Sequence, residues 1–269
     1  MERIKKAIER ARKERENNLN PGDNITYVSD NKSDQMENIK YTKTKTVDVN
    51  TAGLKRNRVI THTDESIETD AFKRLRTQVL QRMRSNNWNL LGVTSAQAGE
   101  GKSLVAINLA IALAMEVNQT VLLVDLDMRR PSVHKYFDYQ PDKGLSDFIL
   151  HATPIEEILF NPEIERLVIL PGKESLSNSS ELLSSPKMVS LVAELKNRYP
   201  ARIIIFDLPP LLAADDTLAF SPYIDAMLLV AEEGKTTKED LLQVKDVLKG
   251  TKIIGTVLNK SISTVNDPY

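Results

Sequence analysis

Leu90-Leu91-Gly92-Val93-Thr94-Ser95-Ala96-Gln97-Ala98-Gly99-Glu100-Gly101-Lys102-Ser103-Leu104-Val105-Ala106-Ile107-Asn108-Leu109-Ala110 reads as an apolar strand, a glycine-bearing loop and an apolar helix in direct succession. That is the order a phosphate cradle needs. Gly99 and Gly101 let the backbone curl so that successive N–H groups point at phosphate oxygens, Lys102 offers a point charge, and Ser103 offers a hydroxyl to magnesium. Ala96 stands where the usual pattern has its first glycine. The loop predicts a nucleotide binder in which Ala98, Gly99, Glu100, Gly101, Lys102, Ser103 and Leu104 surround the phosphates.

Beyond this loop the chain alternates short β-branched runs with helical patterns. Strands are expected at 90–94, 120–125, 167–170, 202–207, 226–231 and 253–259, and helices at 103–116, 186–198 and 238–248. Near-continuous apolar strands separated by helices imply an α/β domain whose mostly parallel sheet is covered on both faces. Ligands of such sheets bind beyond the carboxyl ends of the strands. Two more strand ends there carry carboxylates. Val121-Leu122-Leu123-Val124-Asp125-Leu126-Asp127-Met128-Arg129-Arg130-Pro131 places Asp125 and Asp127 on one side of an extended chain, and Ile203-Ile204-Ile205-Phe206-Asp207-Leu208-Pro209-Pro210 delivers a single carboxylate. Any one of them reads equally well as an ordinary strand-end cap. Three together beside a phosphate loop point to a magnesium shell, which takes oxygen ligands.

Composition excludes several other classes. Across 269 residues, 36 basic side chains meet 37 acidic ones for a net charge of -1, so no overall field favours nucleic acid, and no nucleic-acid partner is expected. The absence of cysteine removes disulfides, zinc-thiolate sites and thiol catalysis. No apolar stretch approaches the ~20 residues that span a bilayer, and the charged amino terminus lacks a signal-peptide core. The expected location is cytoplasmic, peripheral at the inner face of the plasma membrane only through a partner.

Four segments are expected. Residues 1–16 read as an amphipathic helix, with Met1, Ile4, Ile8 and Ala11 spaced three or four apart. Residues 17–60 read as a flexible linker, poor in apolar clusters, with a weak alternation over 44–49 that fits a strand. Residues 61–262 form the P-loop domain, and 263–269 a flexible tail.

The set Gly99-Glu100-Gly101-Lys102-Ser103, then Val124-Asp125-Leu126-Asp127-Met128-Arg129-Arg130-Pro131, then Phe206-Asp207-Leu208-Pro209-Pro210, resembles the bacterial tyrosine kinases of capsule and exopolysaccharide synthesis. The likeness runs over about residues 65–262 and is greatest to the stand-alone autokinases, whose membrane activator is a separate chain. It implies a deviant-P-loop ATPase fold, ATP and magnesium as cofactors, and a non-specific protein-tyrosine kinase active in exopolysaccharide production and export. The implied catalytic set is Lys102, Asp125, Asp127 and Asp207, with one of the first two aspartates accepting the tyrosine proton. Ser103, Asp127 and Asp207 are the implied metal ligands, and Asn259 in Leu258-Asn259-Lys260 the implied adenine contact.

The resemblance also implies partners. Asp70, Lys73 and Arg76 match an oligomerisation helix, and the activator is expected to be a membrane chain-length determinant of a polysaccharide export system. The family's terminal tyrosine cluster is reduced here to Tyr269, the expected acceptor, with Tyr27 and Tyr41 as alternatives. Tyr136, Tyr139, Tyr199 and Tyr223 are expected to be packing residues. Two other readings stand beside the kinase. A partitioning-type ATPase switch would carry an extra lysine where Gln97 stands. A non-catalytic ATP-binding regulator of a chain-length protein would explain the reduced tail.

Overall fold

The computed structural model describes residues 44–61, 65–198 and 202–261. Strand β1 (Lys45–Thr46) and helices α1 (Thr51–Arg56) and α2 (Ile67–Ser85) lead into β2 (Leu90–Ser95), α3 (Lys102–Ala114) and β3 (Thr120–Asp125). There follow α4 (Val133–Tyr136), α5 (Leu145–His151), β4 (Phe160–Asn161), β5 (Leu167–Leu170), α6 (Ser179–Leu183), α7 (Pro186–Arg198) and β6 (Arg202–Asp207). The last elements are α8 (Asp216–Phe220), β7 (Ala226–Glu232), α9 (Lys238–Val247) and β8 (Ile253–Asn259).

The strands form one sheet in the order β1-β4-β5-β3-β6-β2-β7-β8. Every described pairing is parallel except β4 with β5. A parallel sheet must be covered on both faces, and the period-two alternation of each strand supplies one core per face. Leu91, Val93, Leu123, Ile203, Ile205 and Leu228 face α3 and α2. Leu90, Leu122, Val124, Ile204, Phe206 and Leu229 face the opposite core with Leu183, Met188 and Val244 from α6, α7 and α9. In α3 every residue but Leu104 is buried, which suits its run of alanine, leucine and isoleucine. A helix apolar all round sits in the middle of a domain.

The segment expected as linker over 17–60 is folded in its last part. Lys45–Thr46 pairs with β4, α1 buries Leu54, and Val59 and Ile60 enter the core. Asn108 on α3 holds that segment with both ends of its amide: its oxygen accepts from the Ile60 N–H at 3.0 Å and its nitrogen donates to the Arg58 carbonyl at 3.0 Å. Four apolar residues, Leu54, Val59, Ile60 and partly Val49, offset the ordering entropy of an otherwise polar stretch. The helix expected over 1–16, the greater part of the linker, and the tail at 263–269 lie outside the described residues. Among the described residues no helix is long and apolar enough to cross a membrane.

Candidate active site

The register of the three central strands builds the site. Asp125 lies opposite Asp207 in the β3–β6 pair, and Val93, just before the phosphate loop, lies opposite Asp207 in the β2–β6 pair. The loop therefore arches over two adjacent carboxylates. It enters α3 through Gly101, whose φ of 92° is left-handed, as is the 85° of Gly99. An L-residue is strained in that region. At Gly101 there is also no room, because a Cβ would stand 2.1 Å from the Asn259 amide nitrogen.

Lys102 is the electrostatic centre. Its Nζ lies 2.8 Å from Asp127 Oδ2, 3.4 Å from Asp207 Oδ1 and 3.2 Å from Ser103 Oγ. Burial disfavours its charge, yet the neighbouring carboxylates Asp207, Asp127 and Asp125 outweigh burial and raise its pKa. Asp125 is fully enclosed; its Oδ2 accepts from the N–H groups of Ser132 at 2.9 Å and Val133 at 3.0 Å. Burial first, and the charge of Asp207 second, push its carboxyl up to about 7. Asp207 is raised by its own burial, with Lys102 pulling the other way. Asp127 Oδ1 accepts from the Arg130 N–H at 3.1 Å.

The expected catalytic set of Lys102, Asp125, Asp127 and Asp207 is thus brought into one place with Ser103. The carboxylates differ in aspect, however. Asp127 lines the cleft of about 1870 Å³ that opens in front of the loop, and Asp125 sits behind it, capping the turn into α4. Asp207 Oδ2 is buried without a hydrogen-bond partner beside Lys102, Asp127 and Ser103, and an orphaned carboxylate oxygen there fits a cation. Among the described residues no group of three or more carboxylate or imidazole side chains is arranged to hold a metal alone. A magnesium ion here would need phosphate oxygens to complete its shell, as is usual for that ion.

Other predicted residues take different places. The Asn259 amide donates to the Glu100 carbonyl at 2.8 Å, so one of its two N–H groups braces the loop and its other N–H and its oxygen remain for a base. Glu100 is fully buried, and its carboxylate accepts from the Gln97 N–H at 2.9 Å and from the Thr236 hydroxyl. Its side chain holds the loop's shape. Arg76 turns inward to Glu116 at 3.0 Å, and Asp70 pairs with Lys73 one turn along the same helix at 3.2 Å. The charges expected to join subunits are therefore engaged within the chain. Of the tyrosines expected to be packing residues, Tyr139 packs on Phe160 with tilted rings 4.6 Å apart, Tyr223 meets Phe220 at 6.0 Å, and Tyr136 packs against the core while also lining the cleft. Tyr199, Tyr269, Tyr27 and Tyr41 lie outside the described residues.

Sequence reasoning missed Lys235, and it missed the partners of Arg129 and Lys260, which stand in the motifs at 124–131 and 258–260. Arg129 Nε reaches the fully buried Asp216 at 2.8 Å, tying the turn after β3 to the start of α8. Lys235 and Lys260 donate to carbonyls of the phosphate loop. No local pattern marks these pairings, because each partner is distant along the chain.

Comparison with known proteins agrees with this geometry. A family described as the AAA domain matches residues 89–233. The tyrosine-protein kinase YwqD of Bacillus subtilis is 31% identical over 77% of this chain and 86% of its own length. The putative tyrosine-protein kinase CapB of Staphylococcus aureus is 30% identical over 76% of this chain and 90% of its own. The kinase domain of the Escherichia coli tyrosine kinase Etk superposes with a TM-score of 0.66 at 25% identity, over 84% of this chain and 94% of that domain.

Proposed function

The chain belongs to the bacterial tyrosine-protein kinases of the P-loop ATPase fold, and we propose from that premise that it transfers the γ-phosphoryl group of ATP to tyrosine hydroxyls, its own among them, in the control of exopolysaccharide or capsule production. One observation carries the reading. Lys102, Ser103, Asp127 and Asp207 converge within hydrogen-bond reach at the mouth of the phosphate loop. The second carboxylate after β3, Asp127, supports phosphoryl transfer to a hydroxyl because it faces the cleft while Asp125 is occupied with backbone amides.

The residues divide the work as follows. The amides of Gly99, Glu100 and Gly101 and the Lys102 ammonium hold the phosphates. Ser103, Asp127 and Asp207 would hold a magnesium ion, which would supply charge neutralisation to the phosphates. The tyrosine oxygen attacks the γ-phosphorus as the bond to the β-bridging oxygen breaks, ADP departs with that electron pair, and the hydroxyl proton passes to the Asp127 carboxylate. Asp125 keeps the turn after β3 in register. The Asn259 oxygen accepts from the adenine amino group. Tyr269 is the proposed acceptor, offered to a neighbouring copy, and the proposed partner is a membrane chain-length determinant protein that activates the kinase from the inner face of the membrane.

The test is mass spectrometry of the full chain after incubation with magnesium and ATP, beside Asp127→Asn. Phosphate on a tyrosine of the wild type, absent from an Asp127→Asn variant that still binds ADP, is the expected result. Release of free phosphate with no phosphotyrosine at any protein concentration, with the activating membrane protein added as well as without it, would refute the assignment in favour of an ATPase switch.

A further inference from the structure

Three consecutive carbonyls of the phosphate loop are held from outside by side chains that come from one edge of the sheet. Lys235 Nζ donates to the Ala98 carbonyl at 2.9 Å, Lys260 Nζ to the Gly99 carbonyl at 2.8 Å, and Asn259 Nδ2 to the Glu100 carbonyl at 2.8 Å. Among the described residues every peptide bond is trans. In a trans peptide plane the C=O and the next residue's N–H point in opposite directions. Holding the carbonyls of 98, 99 and 100 outward therefore turns the N–H groups of Gly99, Glu100 and Gly101 inward. These are the donors a phosphate cradle uses.

The holding side chains are themselves held. Glu232, at the end of β7, stands 3.3 Å from Lys235 Nζ and 3.1 Å from Lys260 Nζ, and it lies opposite Asn259 in the β7–β8 register. The Lys260 and Lys235 contacts keep its carboxyl below the usual range despite some burial. Without such bracing, the peptide units flanking Gly99 and Gly101 would have glycine's freedom to flip, because both conformational halves are open to that residue.

We infer that Lys235 and Lys260, together with Asn259, are positioning residues for nucleotide binding: they pre-orient three successive loop amides toward the phosphates and so remove an ordering cost from each binding event. This deepens the nucleotide-site reading above and is independent of whether tyrosine is the acceptor. Pre-organisation of this kind raises affinity without adding a contact to the ligand.

The test is calorimetric titration of the full chain with magnesium and ADP, at low and at high potassium chloride, for wild type, the Lys235→Met/Lys260→Met double variant, the Lys235→Arg/Lys260→Arg double variant and Asn259→Ala. Loss of about ten- to a hundred-fold in affinity is expected for the methionine pair and several-fold for Asn259→Ala. The loss should persist at high salt, and the arginine pair, which keeps a donor at each position, should recover most of it. Unchanged affinity in the methionine pair would overturn the inference. So would a loss that vanishes at high salt, because the lysines would then act only as distant charges. Asn259→Ala carries no charge change and, titrated with magnesium and inorganic pyrophosphate so that the adenine contact plays no part, keeps the question decidable if the double variant folds poorly; unchanged pyrophosphate affinity there would also overturn the inference. Wild-type protein that binds no ADP at all would instead refute the nucleotide site itself.

Discussion

Replacing Lys102 with methionine should destabilise the nucleotide-free domain, and by an amount that depends on pH. One ammonium group here compensates Asp127 at 2.8 Å and Asp207 at 3.4 Å, with Asp125 behind them, and Asp125 and Asp207 are fully buried. Removing one partner of a buried ion pair costs about 3–5 kcal/mol because the other charge remains in a poorly solvating interior. For a domain of this size that corresponds to a fall of about 6–20 °C in the unfolding midpoint. The cost has an escape route, since a carboxyl can take up a proton. Asp125 is already pushed up to about 7 by burial and by Asp207, and losing the lysine raises both carboxyls further. A raised folded-state carboxyl means the native state binds more protons than the unfolded one, so its penalty grows as pH rises toward the folded pKa and shrinks below it. Denaturant unfolding in EDTA at pH 8 and pH 6 should therefore show a wild-type-minus-variant gap of about 3–5 kcal/mol at pH 8 that shrinks to about half or less at pH 6. No gap at pH 8, or an equal gap at both values, would refute the assignment of Lys102 as the counter-charge of this cluster. The gap also matters for enzymology, because lost phosphotyrosine in a Lys102 variant reports chemistry only once the variant is known to be folded.

Two further substitutions test the frame around the site. Gly101→Ala combines a left-handed strain of about 1–2 kcal/mol with displacement of the Asn259 amide from the Glu100 carbonyl, worth about 1 kcal/mol. Thermal unfolding should show a loss of about 2–3 kcal/mol together with weakened ADP binding, and a neutral result would mean the loop relaxes freely. His134 is buried with Nδ1 unpartnered, and burial together with Lys135 lowers its pKa. Its neutral form is the one the fold accepts, so the unfolded chain takes the proton first and stability falls as pH drops through about 6.5. Relative to wild type, His134→Phe should lose less stability between pH 7.5 and 5.5, and parallel pH profiles would exclude His134 as the source of the acid sensitivity.

Much of the strand layout was legible locally. The runs at 120–125, 167–170, 202–207 and 253–259 coincide with β3, β5, β6 and β8; in the first three a doubly buried parallel strand is written as an unbroken apolar run, whereas β8 is a largely exposed edge strand. The α7 helix at 186–198 was equally plain. The small edge pieces were not. Only two residues of 44–49 are strand, with Val47 donating to the Asn161 carbonyl just beyond, and their partner strand β4 is itself two residues long. Short edge strands have no periodicity to read; pairing alone defines them.

The sequence by itself determined where the chemistry must gather: a Gly-Glu-Gly-Lys-Ser turn between strand and helix, and carboxylates at the ends of two apolar strands. These are local patterns, since backbone curl, side-chain alternation and charge are properties of neighbouring residues. Only the tertiary structure decided how the work is divided. It put Asp127 toward the cleft and Asp125 behind it, turned Arg76 to Glu116, and buried Glu100 against Gln97 and Thr236. It also brought Lys235, Asn259 and Lys260 across more than a hundred residues to the carbonyls of the phosphate loop. Such contacts follow from strand order and register, which place β8 beside β7 and β7 beside β2, and no window of sequence contains that information.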